Sequence, residues 1–188
     1  MTDYFALLRQ PHRPHLDDRA TEQAFHERAR ILHPDADGGN KTEAFAQLNT
    51  AFNVLRDPSL RLRHLLELEG VTPAKELLDP ELVELFSRSA EISHRAKTEI
   101  AKKRSSDSAI ARSVAQLKRS QVCTQLISVL QELKANRLRA RNELSDLNEI
   151  WDRDRPAAIE KVVQLQQRFI VLQRWLATLE ELQFQLEN

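Results

Sequence analysis

Residues 31–41 read ILHPDADGGNK, and this stretch separates two helical patterns. Apolar side chains recur three and four positions apart in residues 17–32 and again in residues 41–56, which is the period of an amphipathic helix. Proline disfavours the helical conformation of the preceding residue. His33 should therefore be extended and should end the helix predicted in residues 17–32. We therefore predict two helices joined by an exposed corner that carries the His33 imidazole, Pro34 and the Asp35 carboxylate.

The composition predicts an all-α protein. Only 3 of the 188 residues are glycine, and aromatic residues make up 5% of the chain. The 28 basic and 28 acidic residues balance, so net charge favours neither nucleic acid nor a membrane as a partner. Because the first residues lack the pattern of a signal peptide and no long apolar run follows, we expect a soluble, cytoplasmic protein without membrane partners.

Four helices are predicted in residues 1–70. The first is a short apolar helix beginning at Tyr4 and stopped by Pro11. The two helices on either side of the corner follow. The fourth begins with Asp57 as its N-cap and Pro58 at its first position, and it ends at Gly70. We take residues 1–70 as one domain and residues 71–78 as a packed connector.

Residues 79–188 are predicted to form a three-helix bundle. Neither proline nor glycine occurs between residues 81 and 155, and the only plausible break is the polar stretch 105–108. A last helix should begin at Pro156. Leucine-rich stripes in residues 126–147 and 162–186 favour an antiparallel, coiled-coil-like hairpin, with residues 81–104 as the third helix.

Residues 3–70 resemble a J-domain of the DnaJ type. The matching segments are Asp3-Tyr4-Phe5, Phe25 placed eight positions before His33, and the run 48–58. Residues 61–70 resemble the fourth helix of the HscB co-chaperones of iron–sulfur cluster assembly. A leucine-rich helical domain beginning at residue 78 follows, as in HscB, in place of a Gly/Phe-rich segment and a zinc domain.

This resemblance implies a co-chaperone that is not an enzyme and needs no cofactor. It would dock on an ATPase chaperone of the DnaK/HscA type, stimulate ATP hydrolysis and deliver a client. His33, Pro34 and Asp35 match the motif on which that activity depends, and the carboxylate could pair with an arginine of the ATPase. Arg28 and Arg30 are candidates for electrostatic steering. Arg28 stands where the family places an inward leucine, so either the helix is rotated or the arginine stem lies along apolar surface.

The same resemblance implies an iron–sulfur scaffold protein as the client. HscB presents a hydrophobic and acidic face on the first helix of its second domain. Here Leu82, Val83 and Phe86 supply the apolar part, whereas residues 87–89 read Ser-Arg-Ser and the acids are largely missing. A J-domain protein with a different client, held by the coiled-coil-like region, remains an alternative.

His33 and Asp35 could form half of a catalytic dyad, but no nucleophile or phosphate-binding loop accompanies them, so no catalytic residue is assigned. His12, His15, His26 and His33 fall in different elements without cysteines or paired acids, which favours surface histidines over a metal site. The lone Cys123 is expected to be a buried small hydrophobe.

Residues 95–119 carry a net charge of +6, which could bind nucleic acid. Since no aromatic residue interrupts the basic ones, a solvated helix face is favoured, and a nucleic-acid-binding protein is the weakest alternative. Trp151, Trp175 and Phe184 are expected in the core; any of them that is exposed could join a client surface or the seam of a homodimer.

Overall fold

The computed structural model describes residues 2–32, 42–72, 80–102 and 108–187, and in these ranges every regular element is an α-helix, which confirms the all-α fold. In chain order the helices are α1 (Tyr4–Leu7), α2 (Asp18–Leu32), α3 (Thr42–Arg56), α4 (Pro58–Leu68), α5 (Pro80–Ala101), α6 (Ala109–Arg153) and α7 (Arg155–Glu187). None of these described helices is long and apolar enough to cross a membrane.

The predicted helix ends follow from local chemistry. The Asp57 carboxylate accepts hydrogen bonds from the backbone N–H groups of Ser59 (2.8 Å) and Leu60 (3.1 Å), which fixes the start of α4. Gly70 follows α4 with a φ of 71°, a conformation that costs glycine little. Of the predicted break at 105–108, residues 105–107 lie outside the described residues, and α6 begins directly after the break, at Ala109.

The last helix begins one residue earlier than predicted, at Arg155. The Asp154 carboxylate accepts a hydrogen bond from the backbone N–H of Ala157 at 3.2 Å, and the Asp154 carbonyl accepts one from Ala158 at 3.0 Å. Asp154 therefore acts as the N-cap, and Pro156 occupies the second helical position rather than the first.

The chain forms two compact units. The N-terminal unit comprises Met1–Glu76 and Ala140–Phe169, and the bundle unit comprises Leu77–Arg139 and Ile170–Asn188. The domains predicted from the sequence, residues 1–70 and 79–188, are each one continuous stretch of the chain, whereas each compact unit combines two stretches. The predicted boundaries stay a prediction. Most of the predicted connector 71–78 lies outside the described residues.

The core of the N-terminal unit joins α1, α3 and α4 to residues 140–169. The buried side chains are Phe5, Leu8, Leu16, Leu48, Ala51, Leu55, Leu62, Leu65, Leu66, Ala140, Leu144, Leu147, Trp151, Ala158, Val162, Val163, Leu165 and Phe169. Trp151 is 1% exposed, and its indole N–H donates to the His12 carbonyl at 2.8 Å. The Arg155 guanidinium lies 4.3 Å from the Trp151 ring, which adds a cation–π contact. The expectation that Trp151 belongs to the core is confirmed.

The bundle unit has its own core, built from α5 and the parts of α6 and α7 within this unit. Its buried side chains are Leu82, Leu85, Ile92, Ala96, Val122, Leu126, Val129, Leu130, Leu133, Leu172, Leu176, Leu179, Leu182 and Leu186. Arg119 donates to the Leu186 carbonyl and Lys134 pairs with Glu180 at 2.9 Å, so α6 and α7 run antiparallel here as predicted. Trp175 packs against this core only partly, and Phe184 is 63% exposed, so the core expectation for Phe184 is wrong.

Arg61 is a buried cation that the leucine pattern of α4 does not predict. Its side chain is inside the N-terminal unit, where Nε donates to the Pro14 carbonyl at 2.9 Å and Nη1 donates to the Leu55 carbonyl at 2.7 Å. Burial lowers the pKa of Arg61 to about 10. The fixed fork of the guanidinium thus ties the loop before α2 to the end of α3.

A second buried polar group is His64, which holds the chain's first helix in place. Its Nε2 accepts a hydrogen bond from the Tyr4 backbone N–H at 3.1 Å, so this nitrogen is unprotonated. The ring also packs on Tyr4 and Phe5, with centroids 4.5 and 5.8 Å apart. Burial lowers the pKa of His64, against opposing effects of Glu67 and Asp3 that raise it. The neutral imidazole is therefore the form that the fold selects.

Trp151→Phe should lower the free energy of unfolding by about 1–3 kcal/mol, because it removes the hydrogen bond to the His12 carbonyl and leaves a gap where the buried indole packed. Chemical denaturation followed by circular dichroism measures this change. Trp175→Phe is the matched control and should cost less, since that ring is only partly buried. Equal losses in the two variants would contradict the assigned role of the Trp151 indole.

Acidification should destabilise the N-terminal unit. Burial lowers the pKa of both His64 and His15, so the unfolded chain binds protons first as the pH falls below about 6.5. The contribution of the two neutral imidazoles to the free energy of unfolding is complete above that pH. It is lost as the pH falls through the lowered pKa values of the folded chain, by at most about 1.4 kcal/mol per pH unit for each histidine.

Denaturation midpoints measured between pH 7.5 and 5 test this expectation. His64→Gln keeps a hydrogen-bond acceptor but cannot titrate, so it should flatten the pH dependence. An identical slope for His64→Gln and the parent chain would refute the assignment.

Candidate functional site

The outer face of α2 carries charges of both signs. A shallow groove of about 420 Å³ runs along it, lined by Arg19, Glu22, Gln23, His26, Glu27 and Arg30. Two arginines and two glutamates share this groove, so their fields largely cancel at a distance. The acidic side chains thus offset the positive charge on this face of the helix.

Arg28 and Arg30 occupy different sides of α2. Arg28 belongs to the inward series, together with the buried Thr21 and with Phe25 and Ala29, which pack against the core. It is half-buried, and its Nε is buried without a hydrogen-bond partner. The helix is therefore not rotated; the arginine stem lies along its inward face. Arg30 is exposed and remains available to a partner.

The two helices on either side of the predicted corner pack on each other. The rings of Phe25 in α2 and Phe52 in α3 stack with centroids 4.3 Å apart and an interplanar angle of 20°. This contact brings together the helices that end at Leu32 and begin at Thr42. His33, Pro34 and Asp35 lie outside the described residues, so their conformation and role stay predictions.

The start of α2 is fastened to the end of α6. The Asp18 carboxylate pairs with Arg141 at 2.6 Å. His15 donates its backbone N–H to the Asn148 side chain at 3.0 Å, and the Asn148 amide donates back to the His15 carbonyl at 3.1 Å. Sequence reasoning missed these bonds because their partners are 123 and 133 residues apart. They give α2 a fixed base.

The three apolar residues predicted to contact a client on α5 have different environments. Leu82 is 5% exposed and belongs to the core of the bundle unit, so little of its side chain is accessible to a client, and its role stays a prediction. Val83 is 50% exposed. Phe86 is half-buried, with its ring stacked on Trp175 at a centroid distance of 6.5 Å. Val83 and the open edge of Phe86 are therefore the accessible apolar part.

The outer face of α5 is more acidic than the local sequence indicated. Glu84 and Glu91 are both exposed, and their spacing of seven places them on one side of the helix, about 90° around it from Val83. Arg88 turns away to α6, where it forms a two-pronged pair with Glu132 at 2.9 and 2.5 Å. The face thus combines apolar and acidic side chains, and the seven-residue spacing was the signal that could have revealed it.

His12 and His26 each lie next to one carboxylate. His12 contacts the Asp3 carboxylate at 2.8 Å, and His26 lies 3.9 Å from Glu22. In the described part of the chain, no group of three or more His, Cys, Asp or Glu side chains could hold a metal ion. Cys123 is half-buried rather than fully buried, and burial raises the pKa of its thiol, which disfavours the reactive thiolate.

The basic segment 95–119 is divided among several partners. Lys102 pairs with Glu99 one turn earlier. Arg119 donates to the carbonyls of Gln185 and Leu186 at the end of α7, at 2.9 and 2.6 Å. Arg95, Lys97, Arg112 and Lys118 are exposed, and Lys103 and Arg104 lie outside the described residues. This arrangement is typical of a solvated helix face.

Comparison with known proteins gives a consistent result. No protein-family model matches the chain. A co-chaperone protein HscB homolog from Azoarcus sp. strain BH72 is 35% identical over 79 residues, which are 38% of this chain and 45% of that protein. The matched segment thus spans about half the length of the curated relatives, from 45% to 52%.

Two solved structures extend the likeness over almost the whole chain. Chaperone HscB from Vibrio cholerae aligns with a TM-score of 0.53 and 19% identity, covering 98% of this chain and 99% of that one. Human co-chaperone protein HscB aligns with a TM-score of 0.57 and 14% identity, covering 94% and 81%. The chain therefore has the all-α fold of the HscB co-chaperones and is similar to them in sequence over roughly two fifths of its length.

Proposed function

We propose that this chain is a co-chaperone that stimulates an ATPase chaperone of the DnaK/HscA type and delivers an iron–sulfur scaffold protein to it. Residues 2–72 with the corner at His33, Pro34 and Asp35 would contact the ATPase. The outer face of α5 would hold the client. The observation that supports this proposal most strongly is the HscB fold, which covers 98% of this chain in one comparison.

Two features of the described residues support separate surfaces for the ATPase and for the client. The α2–α3 pair is held by the Phe25–Phe52 stack and by the bonds from its base to α6, so a corner between these helices would be presented on a rigid support. The outer side of α5 exposes Val83 together with Glu84 and Glu91, an apolar and acidic surface that suits a client with basic and apolar side chains.

Asp35→Asn should abolish the stimulation of ATP hydrolysis while leaving the fold intact, because the carboxylate is predicted to pair with an arginine of the ATPase. His33→Gln should have the same effect. Steady-state ATPase assays with the organism's DnaK-type chaperone would measure a return to the unstimulated rate, and circular dichroism would check the fold.

Asp37→Asn is the matched control for this experiment. It removes a carboxylate two positions away in the same segment, so it changes the net charge by the same amount. It should keep the stimulation of the parent chain. Full stimulation by both Asp35→Asn and His33→Gln would refute the proposed contact with the ATPase.

Val83→Ala combined with Glu84→Gln and Glu91→Gln should weaken scaffold binding by about tenfold or more, equivalent to about 1.4 kcal/mol. The triple variant removes the accessible apolar and acidic groups without touching the core. Isothermal titration calorimetry of the full chain with the organism's apo scaffold protein is the measurement.

Leu138→Ala serves as the control for client binding. Leu138 is a 60% exposed apolar residue on α6 in the same unit, outside the α5 face. Its replacement should leave the affinity unchanged. Absence of saturable binding by the parent chain would reject the scaffold as client while leaving the ATPase contact to be judged by the Asp35 and His33 variants.

A further inference from the structure

The first turns of α6 carry an apolar side that the bundle does not cover. Every residue from 109 to 118 is exposed. Among them, Ile110 is 78%, Val114 47% and Leu117 60% exposed. The part of α6 that packs in the bundle begins further on, at Val122. The apolar side chains of residues 109–118 therefore belong to neither of the two cores and meet solvent instead.

This apolar side is broad. At 3.6 residues per turn, Leu117, Ile110 and Val114 fill an arc of about 60° around the helix. The exposed Ala111 and Ala115 widen the arc to about 160°. A seam that pairs with a single helix is narrower than this, whereas a helix that lies in the surface of a bilayer buries a whole apolar side. The width thus favours a bilayer over one partner helix.

The charge of the segment favours an anionic surface. Residues 108–119 contain Arg112, Lys118 and Arg119 and no acidic residue. Arg112 lies about 60° beyond the alanine edge of the apolar side, a position from which a guanidinium can bind headgroup phosphates. Lys118 lies within the apolar side, and its long stem lets the ammonium group extend to the same depth. Since the first turn of α6 lacks an acid, the positive end of the helix dipole adds to this field.

The composition of the whole chain conceals this local charge. The 28 basic and 28 acidic residues cancel, and the expectation of no membrane partner came from that balance and from the lack of a long apolar run. Neither observation tests for a helix that lies along a bilayer surface. Such a helix requires a local apolar side and local cations, and it requires neither a spanning segment nor a net charge on the whole chain.

We propose that residues 109–118 of α6 bind the surface of a bilayer that contains anionic lipids. Ile110, Val114 and Leu117 lie at the boundary between headgroups and acyl chains, and Arg112 and Lys118 contact headgroup phosphates. Attachment is reversible, since three large apolar side chains bury far less area than a spanning helix does. The contact uses none of the residues proposed to bind the ATPase or the client.

Two other occupants fit this segment less well. Nucleic acid would neutralise the cations but leave the apolar side in water, and residues 108–119 contain no aromatic ring on which a base could stack. A second copy of the chain would bring two basic, acid-free segments together, and like charges across a contact weaken it. An anionic bilayer satisfies both the apolar side and the cations.

Co-sedimentation of the full chain with lipid vesicles tests the proposal. The chain should bind vesicles of phosphatidylcholine with one third phosphatidylglycerol. It should bind vesicles of phosphatidylcholine alone roughly tenfold more weakly, and it should dissociate from the anionic vesicles as salt is raised.

Leu117→Glu should lower the partition coefficient on the anionic vesicles by roughly tenfold or more, because it places a negative charge on the side that inserts. Leu138→Glu is the matched control. It makes the same change on the same helix, at a leucine that is equally 60% exposed, and it should bind as the parent chain does.

A pair of charge variants tests the role of the cations. Arg112→Gln with Lys118→Gln should lower the partition coefficient on the anionic vesicles by roughly tenfold or more. Arg137→Gln with Arg139→Gln removes two exposed cations elsewhere on α6 and should leave it unchanged.

Three results would overturn the proposal. The first is a parent chain that does not bind the anionic vesicles or that binds neutral ones equally well. The second is equal weakening by a variant and its control, because binding would then depend on net charge alone. The third is a chain that does not bind vesicles and forms a dimer that Leu117→Glu dissociates in sedimentation velocity, which would identify a second copy as the occupant.

Discussion

The N-terminal unit depends on the insertion of residues 140–169 into the core formed by α1, α3 and α4. Trp151 is the centre of this contact, with its ring buried and its indole N–H bonded to the His12 carbonyl. A domain of about 70 residues buries a limited fraction of its surface, so a small helical core gains from apolar area supplied by another part of the chain. Without these side chains, the inner faces of the short helices would meet water. The packing that stabilises the unit is therefore distant in sequence.

The same contact determines what α2 can present to a partner. Asp18 and His15 form hydrogen bonds with residues of α6. The buried Arg61 donates a hydrogen bond to the Pro14 carbonyl, in the loop that precedes α2. Since the charges on the outer groove of α2 largely cancel, long-range attraction would contribute little to the proposed ATPase contact. Recognition would then depend on the geometry of a corner held between two braced helices, which is where preorganisation benefits binding most.

Local signals in the sequence were sufficient for the helices and failed for their long-range partners. Asp57 followed by proline predicts the start of α4 because capping involves only neighbouring residues. The apolar spacing did not reveal that Leu82 faces inward or that Phe184 faces outward. Both residues lie at the edge of the apolar side of their helix, and the width of the buried part of that side depends on the helices packed against it. Arginine and histidine usually lie on the surface, so the sequence did not predict the burial of Arg61 and His64. Their burial is explained by hydrogen bonds to backbone groups far away in the sequence, from Arg61 to a carbonyl and to His64 from an N–H.

Native-state hydrogen exchange at increasing denaturant tests most directly whether residues 140–169 and the N-terminal helices form one cooperative unit. The account predicts that protected amides of α3 and α4 and those of residues 144–165 share one opening free energy and one denaturant dependence. It would be contradicted if residues 144–165 stayed protected after α3 and α4 had opened. In that case the end of the α6–α7 hairpin would be a neighbour of the N-terminal helices and not part of their core.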